Sequence, residues 1–233
     1  MLMPARTDQI ANHLLAALPR KDFQRLHPTL DLVTLTFGEV LYESGDAIRH
    51  VYFPNDALVS LLTLVEGHPA LEVGVVGREG MVGTPLALGI VNSPGCALTQ
   101  GSGTAMRMTS SHFHKAFRDS PPLRREVYRY IHALMIQVMQ TAACNRFHMV
   151  EARLARRLLM ADDYALSNTL HLTHEFLANI LGVRRVGVTK AAHTLQQQNL
   201  ISYSRGDITI LDRNGLEAAA CSCYKIIKNA VNA

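Results

Sequence analysis

Between Leu123 and Tyr164 the chain contains neither glycine nor proline, so nothing in this stretch interrupts a helix. Just before it, Asp119 and Ser120 precede Pro121 and Pro122. This order supplies a capping side chain followed by prolines, which are tolerated in a first helical turn. We therefore predict one long helix, or two helices nearly in line, that begin directly after the capping residues.

A heptad repeat leaves an apolar stripe along this long helix. Such a stripe either meets its equivalent in a second copy of the chain or packs on the chain's own β-rich segment. A polar residue within a seam fixes the register of two helices, so Asn145 favours a homodimer. The predicted dimer seam consists of Val127, Ile131, Leu134, Val138, Thr141 and Asn145, with His148 at its end.

The segment before the long helix predicts a small β-rich domain. Two short helices are expected within residues 8–26, and from Leu32 to about Met108 short apolar runs alternate with turn signals such as Ser44-Gly45-Asp46. Many short strands with regular turns are typical of a sandwich, a jelly roll or a β-roll. The predicted strands include residues 33–37, 51–53, 58–65 and 71–76.

The segment after the long helix predicts a helix-turn-helix. A short strand at 170–172 leads to Thr173, a good N-cap, so a helix is expected to begin at His174. Apolar contacts, a small residue at the helix crossing, a turn glycine and apolar anchors then follow in the order that this motif needs. Two strands, 201–204 and 208–211, would add a wing. The motif residues are Leu177, Ala178, Leu181, Gly182, Val183, Val188 and Ala191.

The distribution of charge points to DNA, although the total of 23 Lys+Arg against 19 Asp+Glu decides little. From Phe176 through Gly206 there is no acidic residue. A phosphate backbone suits that asymmetry, whereas a solvated helix face usually mixes signs. A neutral or acidic second helix would have favoured the alternative, a protein-interaction module. The basic residues are Arg184, Arg185, Lys190 and Arg205, and the preceding helix adds Arg153, Arg156 and Arg157.

Several other classes are disfavoured by the sequence. The four cysteines are too few and too unevenly spaced for a disulfide framework or for paired CxxC zinc motifs. Cys221 and Cys223 could hold a metal, but we interpret them as small apolar residues of a terminal helix and predict no metal site. No run is long and apolar enough for a signal peptide or a membrane span, and no catalytic motif is present. The prediction is a cytoplasmic protein that is not an enzyme.

Residues 172–212, LTHEFLANILGVRRVGVTKAAHTLQQQNLISYSRGDITILD, closely resemble the C-terminal winged helix of Crp/Fnr regulators. Upstream, LTFGEVLYESGDAIRHVYFP (35–54) and VGVVGREGMVGTP (73–85) resemble the β-roll of that family. The resemblance implies an α+β fold: a sensory, cyclic-nucleotide-binding-like β-roll (a double-stranded jelly roll) at 1–118, a long dimerisation helix at 119–149 and a winged helix at 150–233. It also implies a dimeric transcription regulator that binds a palindromic operator, RNA polymerase and a small-molecule effector of unknown identity.

The same similarity places residues of the second helix at or beside groove-facing positions. Catabolite-activator members carry glutamate where this chain has Val186, so the operator should differ from theirs. Arginine suits bidentate reading of guanine, whereas lysine and a helix N-terminus suit phosphate. The predicted DNA-binding residues are Thr173, Arg184, Arg185, Val186, Thr189, Lys190 and Arg205.

The sensory segment departs from the cyclic-nucleotide-binding members of the family. Their Gly-Glu pair for the ribose corresponds to Gly83-Thr84, and their Arg-Ser pair for the cyclic phosphate corresponds to Gly95-Cys96. The polar pair that meets the purine is replaced on the long helix. The resemblance thus implies an effector pocket that does not suit cyclic AMP, with a cyclic-nucleotide-responsive regulator as the alternative. The implied pocket residues are Gly83, Thr84, Cys96, Val138 and Met139.

No cofactor is identified from the sequence. The first ninety residues contain no cysteine cluster that could hold an iron–sulfur centre. His114 and His148 are lone histidines, which are weak candidates for binding haem. The identity of the effector, the operator sequence and any metal or redox role of Cys221 and Cys223 stay open at this level.

Overall fold

The structure, a computed structural model, describes residues 11–164, 169–204 and 206–232. The chain divides into two compact units. Unit 1 comprises Met1–Val59 and Val76–His132, and unit 2 comprises Ser60–Val75 and Ala133–Ala233. The predicted domain division at residues 118 and 149 stays a prediction. No helix in the described ranges is long and apolar enough to cross a membrane.

The described elements follow the predicted order of short helices, a β-rich segment, long helices and a winged helix. The helices are α1 (His13–Ala16), α2 (Arg20–Leu26), α3 (Ser110–Asp119), α4 (Pro121–Phe147), α5 (Val150–Tyr164), α6 (His174–Leu181), α7 (Arg185–Gln197), α8 (Arg213–Ala219) and α9 (Cys223–Asn232). The strands are β1 (Asp31–Leu35), β2 (Val40–Tyr42), β3 (His50–Pro54), β4 (Leu58–Thr63), β5 (Leu71–Val76), β6 (Cys96–Gly101), β7 (Gly103–Thr109), β8 (Thr169–His171), β9 (Ile201–Ser204) and β10 (Asp207–Ile210).

Unit 1 is built on antiparallel strand pairs. β7 lies between β1 and β3, with Leu35 opposite Gly103 and Phe53 opposite Met106, and β2 pairs with β6. The core contains the fully buried side chains of Phe53, Met108 and Phe113. The alternation of short apolar runs with turns therefore correctly predicted a β domain.

A buried asparagine attaches the N-terminal helix to this domain. Asn12 caps α1 by accepting a hydrogen bond from the Leu15 backbone N–H at 3.1 Å. Its side-chain amide also donates to the carbonyl oxygens of Pro54 and Gly80, both at 2.9 Å. Because every polar atom of a buried amide needs a partner, these bonds offset the cost of burying Asn12.

The stretch without glycine or proline forms two helices, α4 and α5, rather than one. They are separated at His148 and Met149. The last bond across the end of α4 joins the His148 N–H to the Cys144 carbonyl at 3.1 Å. No glycine or proline marks this break, so sequence alone could not place it.

In unit 2, α4 and α5 are tied to the β4–β5 segment by buried polar groups. The Gln137 amide pairs with the backbone of Val75, accepting from its N–H at 2.5 Å and donating to its carbonyl at 3.2 Å. Arg157 forms a two-pronged ion pair with Glu72, with distances of 2.6 and 3.1 Å. Ser60 donates a further hydrogen bond to the Glu72 carboxylate at 2.6 Å. Paired geometry of this kind is what makes buried charges tolerable.

The structure divides the predicted dimer seam between two faces of α4. Val127 and Thr141 are buried within the chain, and a Leu134 methyl lies 3.3 Å from the position a Cβ would occupy on Gly74. Asn145 accepts a hydrogen bond from Arg153 at 2.8 Å. Four of the predicted seam residues therefore make contacts inside their own chain.

A different apolar stripe on α4 faces outward. At every second position it uses the residue that follows the predicted seam residue in the sequence. It contains Ile131 and Val138 of the predicted seam. Its other members are exposed residues that directly follow predicted seam residues in the sequence. The two stripes share the same heptad repeat, so the spacing could not tell which of them the chain itself would cover. We define the outward stripe as Tyr128, Ile131, Met135, Val138 and Ala142.

Candidate DNA-binding surface

The helix pair α6–α7 begins and turns where the sequence predicted. The Thr173 hydroxyl caps α6 by accepting from the Phe176 N–H at 3.2 Å, which confirms the predicted start at His174. Gly182 ends α6 in the left-handed region at φ 61°, and the Val183 N–H bonds back to the Ala178 carbonyl at 3.0 Å. Glycine is favoured here because it reaches this conformation without steric cost.

The apolar faces of α6 and α7 pack into a buried core, which fixes the direction of α7. Leu177, Val188 and Ala191 are fully buried, and α5 packs against α7. β10 lies between β8 and β9 in a small antiparallel sheet, with Ile208 opposite Tyr203 and Leu170. The predicted wing is therefore present as β9 and β10.

The N-terminus of α7 is an exposed, positively charged helix end. Arg184 is its N-cap residue and makes no side-chain capping bond, and Arg185 and Val186 follow in the first turn. All three are exposed, with Val186 at 59%. Uncapped N–H groups and the helix dipole favour anions, and the two guanidinium groups add to that potential. This end of α7 is suited to nucleic-acid phosphates and base edges.

Further along the same outer face lie Thr189, Lys190 and His193, all exposed. They alternate with the buried Val188, Ala191 and Ala192, as expected for an amphipathic helix. Five of the predicted contact residues, Arg184, Arg185, Val186, Thr189 and Lys190, thus lie on one face of α7. Thr173 is exposed at the start of α6, and Arg205 lies outside the described residues.

His174 is a site residue that the sequence analysis did not identify. Its ring stacks on Tyr203 of β9 with the centroids 4.2 Å apart and an interplanar angle of 12°. Its Nδ1 lies 3.1 Å from the Thr189 hydroxyl, which is also 3.1 Å from the Arg185 carbonyl. The hydroxyl has one hydrogen, so when it donates to the carbonyl the imidazole donates through Nδ1–H. His174 therefore orients a predicted contact residue and links α6, α7 and the wing.

Burial, followed by the nearby Arg185 guanidinium, lowers the pKa of His174. The imidazole is therefore neutral at neutral pH and adds no charge to the surface. The signal that could have located it is the pairing of an aromatic ring in a predicted wing with a histidine at the first position of a helix. Only the fold brings these two residues together.

The three arginines of α5 do not contribute to this surface. Arg153, Arg156 and Arg157 are all buried, with 5%, 4% and 1% of their surface exposed. Arg153 donates to the Leu181 carbonyl at the C-terminal end of α6, where the helix dipole favours a cation. Their role is therefore internal to unit 2.

The predicted effector residues fall in both units, and each unit is described separately. In unit 1, Gly83 has φ 100° and precedes a short 3-10 turn, Thr84–Leu88. Cys96 is buried in β6, and burial together with the Glu43 carboxylate raises the pKa of its thiol to about 11. In unit 2, Val138 and Met139 are exposed on α4.

Cys96, the second residue of the Gly95-Cys96 pair, is thus a neutral thiol next to an acidic group. Glu43 is hydrogen-bonded to Cys96, and the Gly83 backbone is hydrogen-bonded to the buried Tyr42 side chain. An anionic phosphate placed there would meet a carboxylate rather than a guanidinium.

Comparison with protein families agrees with this geometry. Residues 152–219 match the model of the Crp-like helix-turn-helix domain, which covers α5 to α8. A search of curated proteins gives no match to the chain.

Solved structures share the fold over most of the chain. The c-di-GMP-responsive global regulator CLP of Xanthomonas campestris is 16% identical with a TM-score of 0.66, over 82% of this chain and 99% of its own. FixK2 of Bradyrhizobium japonicum is 14% identical with a TM-score of 0.64, over 83% and 98%. A CRP/FNR-family transcriptional regulator of Thermus thermophilus is 22% identical with a TM-score of 0.65, over 82% and 98%.

These likenesses confirm the predicted α+β fold of a β-roll, a long helix and a C-terminal winged helix. The helix pair, the wing and the basic face of α7 define a winged helix-turn-helix DNA-binding protein. With the matched family model, residues 152–219 form a Crp-like helix-turn-helix domain, and the chain shares its fold with the transcription regulators named above.

Proposed function

We propose that this chain is a DNA-binding transcription regulator of the Crp/Fnr type that binds a two-fold symmetric operator as a homodimer. It would read the operator with the N-terminal half of α7 and respond to a small-molecule effector other than cyclic AMP. The observation that carries the proposal is the exposed basic end of α7, where Arg184 and Arg185 stand at uncapped helix N–H groups. Arg205 and a contact with RNA polymerase remain part of the proposal by resemblance.

The support for a homodimer is the outward stripe of α4. Tyr128 and Met135 are 48% and 56% exposed, and Val138 is 37% exposed. Large apolar side chains that repeat at heptad spacing on an exposed helix face are suited to pairing with the same face of a second copy. Two copies of α7 related by a two-fold axis would then bind half-sites about 34 Å apart.

Selection of bound sequences from random duplex DNA tests this function. We expect two-fold symmetric sequences with half-sites centred about one helical turn apart, and affinity that falls steeply with salt. The double variant Arg184→Ala/Arg185→Ala, carried through the same selection, should enrich no symmetric motif. Asymmetric products, or affinity insensitive to salt, would contradict the proposal.

The roles of two cations on α7 should separate. Arg185→Ala is expected to weaken operator binding by about 1–3 kcal/mol and to relax preference at one base pair per half-site, because arginine can read guanine in a bidentate manner. Lys190→Ala should weaken all sequences evenly and reduce the salt slope, since a phosphate contact carries no sequence information. Titrations on the operator and on single-base variants measure both effects. Equal, sequence-blind losses would place the base reader elsewhere.

The effector proposal predicts no specific binding of cyclic AMP or cyclic GMP at micromolar concentration. By resemblance, Gly95 stands at the position of the phosphate-binding arginine, so the positive charge that a cyclic phosphate needs is missing. The neighbouring Cys96 thiol is neutral and lies beside the Glu43 carboxylate. Buried polar groups left without partners would cost about 1–3 kcal/mol each. Isothermal titration calorimetry on the full chain measures this directly, and a micromolar dissociation constant would refute the altered pocket.

A further inference from the structure

Four side chains of the types that can bind a metal, from two segments distant in sequence, converge in unit 2. Cys144 and His148 lie at the end of α4, one helical turn apart, and Cys221 and Cys223 lie at the start of α9. The cysteines of the two segments are separated by 77 residues. One ligand atom from each of the four side chains lies within 4.8 Å of all the others.

Two distances within this cluster match the edges of a tetrahedral metal site. The Sγ atoms of Cys144 and Cys221 are 3.4 Å apart, and Cys223 Sγ is 3.6 Å from His148 Nδ1. Bonds of about 2.3 Å to sulfur and about 2.0 Å to nitrogen give tetrahedral edges of roughly 3.5 to 3.8 Å. The four atoms are therefore near their ligand positions without a change of fold.

The three cysteines of the cluster are buried close to a guanidinium group, and burial raises the pKa of the Cys223 thiol. Cys144, Cys221 and Cys223 are buried, and the hydrogen bond between the first two thiols raises the pKa of Cys144 and lowers that of Cys221. The buried Arg156 guanidinium lies near both thiols and opposes part of the increase at Cys144. The hydrogen bonds of Arg156 reach Thr141 Oγ1 and Met160 Sδ, which are neutral, and its Nε is buried without a partner among the described residues.

A buried guanidinium with neutral partners needs an anion nearby. Three thiolates and a neutral imidazole around a divalent cation carry one net negative charge, which Arg156 would balance. Three soft sulfur ligands and one imidazole in a tetrahedral arrangement select zinc over the hard cations.

We propose that Cys144, His148, Cys221 and Cys223 form a structural zinc site that fastens the C-terminal helix α9 to the α4–α5 junction. On binding, the three thiols release three protons and form three Zn–S bonds, while neutral His148 binds through Nδ1. All four positions are filled by protein ligands, which is the composition of a closed, structural site rather than a catalytic one. The zinc site is independent of the proposed operator and effector.

Metal analysis of the full chain, purified under reducing conditions after growth with zinc, tests the proposal. We expect about one zinc per chain in the native protein and background amounts in Cys221→Ser and His148→Ala. Cys96→Ser is the matched control, because Cys96 is also a buried cysteine but lies in β6 of unit 1 and should leave the zinc content unchanged.

Cobalt replacement gives a readout that does not depend on whether a variant folds. Zinc-free native protein titrated with Co²⁺ should show saturating one-to-one binding, thiolate-to-cobalt charge transfer and the intense visible bands of a tetrahedral site. Added zinc should displace the cobalt and bleach these bands. Removal of zinc by a chelator should lower Tm, and re-addition of zinc should restore it.

Two results would overturn the proposal. Native protein with background zinc and no tetrahedral cobalt spectrum under reducing conditions would show that the cluster binds no metal. A Cys144–Cys221 disulfide that forms in vivo, detected as the loss of two free thiols and a cross-linked peptide in acid-quenched cells, would show that the pair serves redox chemistry instead.

Discussion

Met135→Asp is expected to convert the protein to a monomer and to weaken operator binding at least about 100-fold. Met135 is 56% exposed at the middle of the outward stripe, so the single chain tolerates a carboxylate there. In a homodimer the carboxylate would face an apolar seam close to its symmetry mate, where burying two like charges costs several kcal/mol. Loss of the dimer removes the high effective concentration of the second half-site.

Sedimentation and DNA titration measure these two effects. Ala143→Asp is the matched control, because Ala143 is also exposed on α4 but lies about 100° around the helix from the centre of the stripe. It should remain dimeric and bind the operator with native affinity. A Met135→Asp protein that stays dimeric and binds normally would place the dimer interface on another surface.

Arg157→Met is expected to lower the free energy of unfolding by about 3–5 kcal/mol. The substitution leaves the Glu72 carboxylate buried without the guanidinium that now binds it at 2.6 and 3.1 Å. The loss therefore includes the cost of an uncompensated buried charge as well as the missing ion pair. Urea denaturation followed by circular dichroism measures the change.

Two further variants test whether the loss of stability arises from the burial of the ion pair. Arg118→Met removes the cation of an exposed pair with Asp119, 3.1 Å apart, and should cost no more than about 1 kcal/mol. Glu72→Leu combined with Arg157→Met removes both buried charges and should recover much of the lost stability. If Arg157→Met and Arg118→Met were equally mild, the buried pair would contribute no more than a surface one.

The helix-turn-helix could be predicted from sequence because its determinants are local. The Thr173 cap, the Gly182 turn and the alternation of buried and exposed residues in α7 all act within a few residues of one another. Capping, left-handed backbone and helical periodicity depend on near neighbours, so the printed order of residues already specifies them.

The outward stripe of α4 shows that heptad periodicity alone does not predict which face of a helix is buried. Val127 and Tyr128 both continue a heptad pattern along α4, yet the first is fully buried and the second is 48% exposed. The repeat determines that the helix has apolar stripes, whereas packing of the rest of the chain decides which stripe is covered.

The sequence by itself determined the element types, the position of the helix-turn-helix and the absence of acidic residues along its second helix. Only the tertiary structure decided that the arginines of α5 are internal, that His174 stacks on Tyr203, and that Cys144 meets Cys221 across 77 residues. Local propensity and periodicity reach about one or two helical turns, whereas these contacts are produced by the burial of apolar faces between segments distant in the chain.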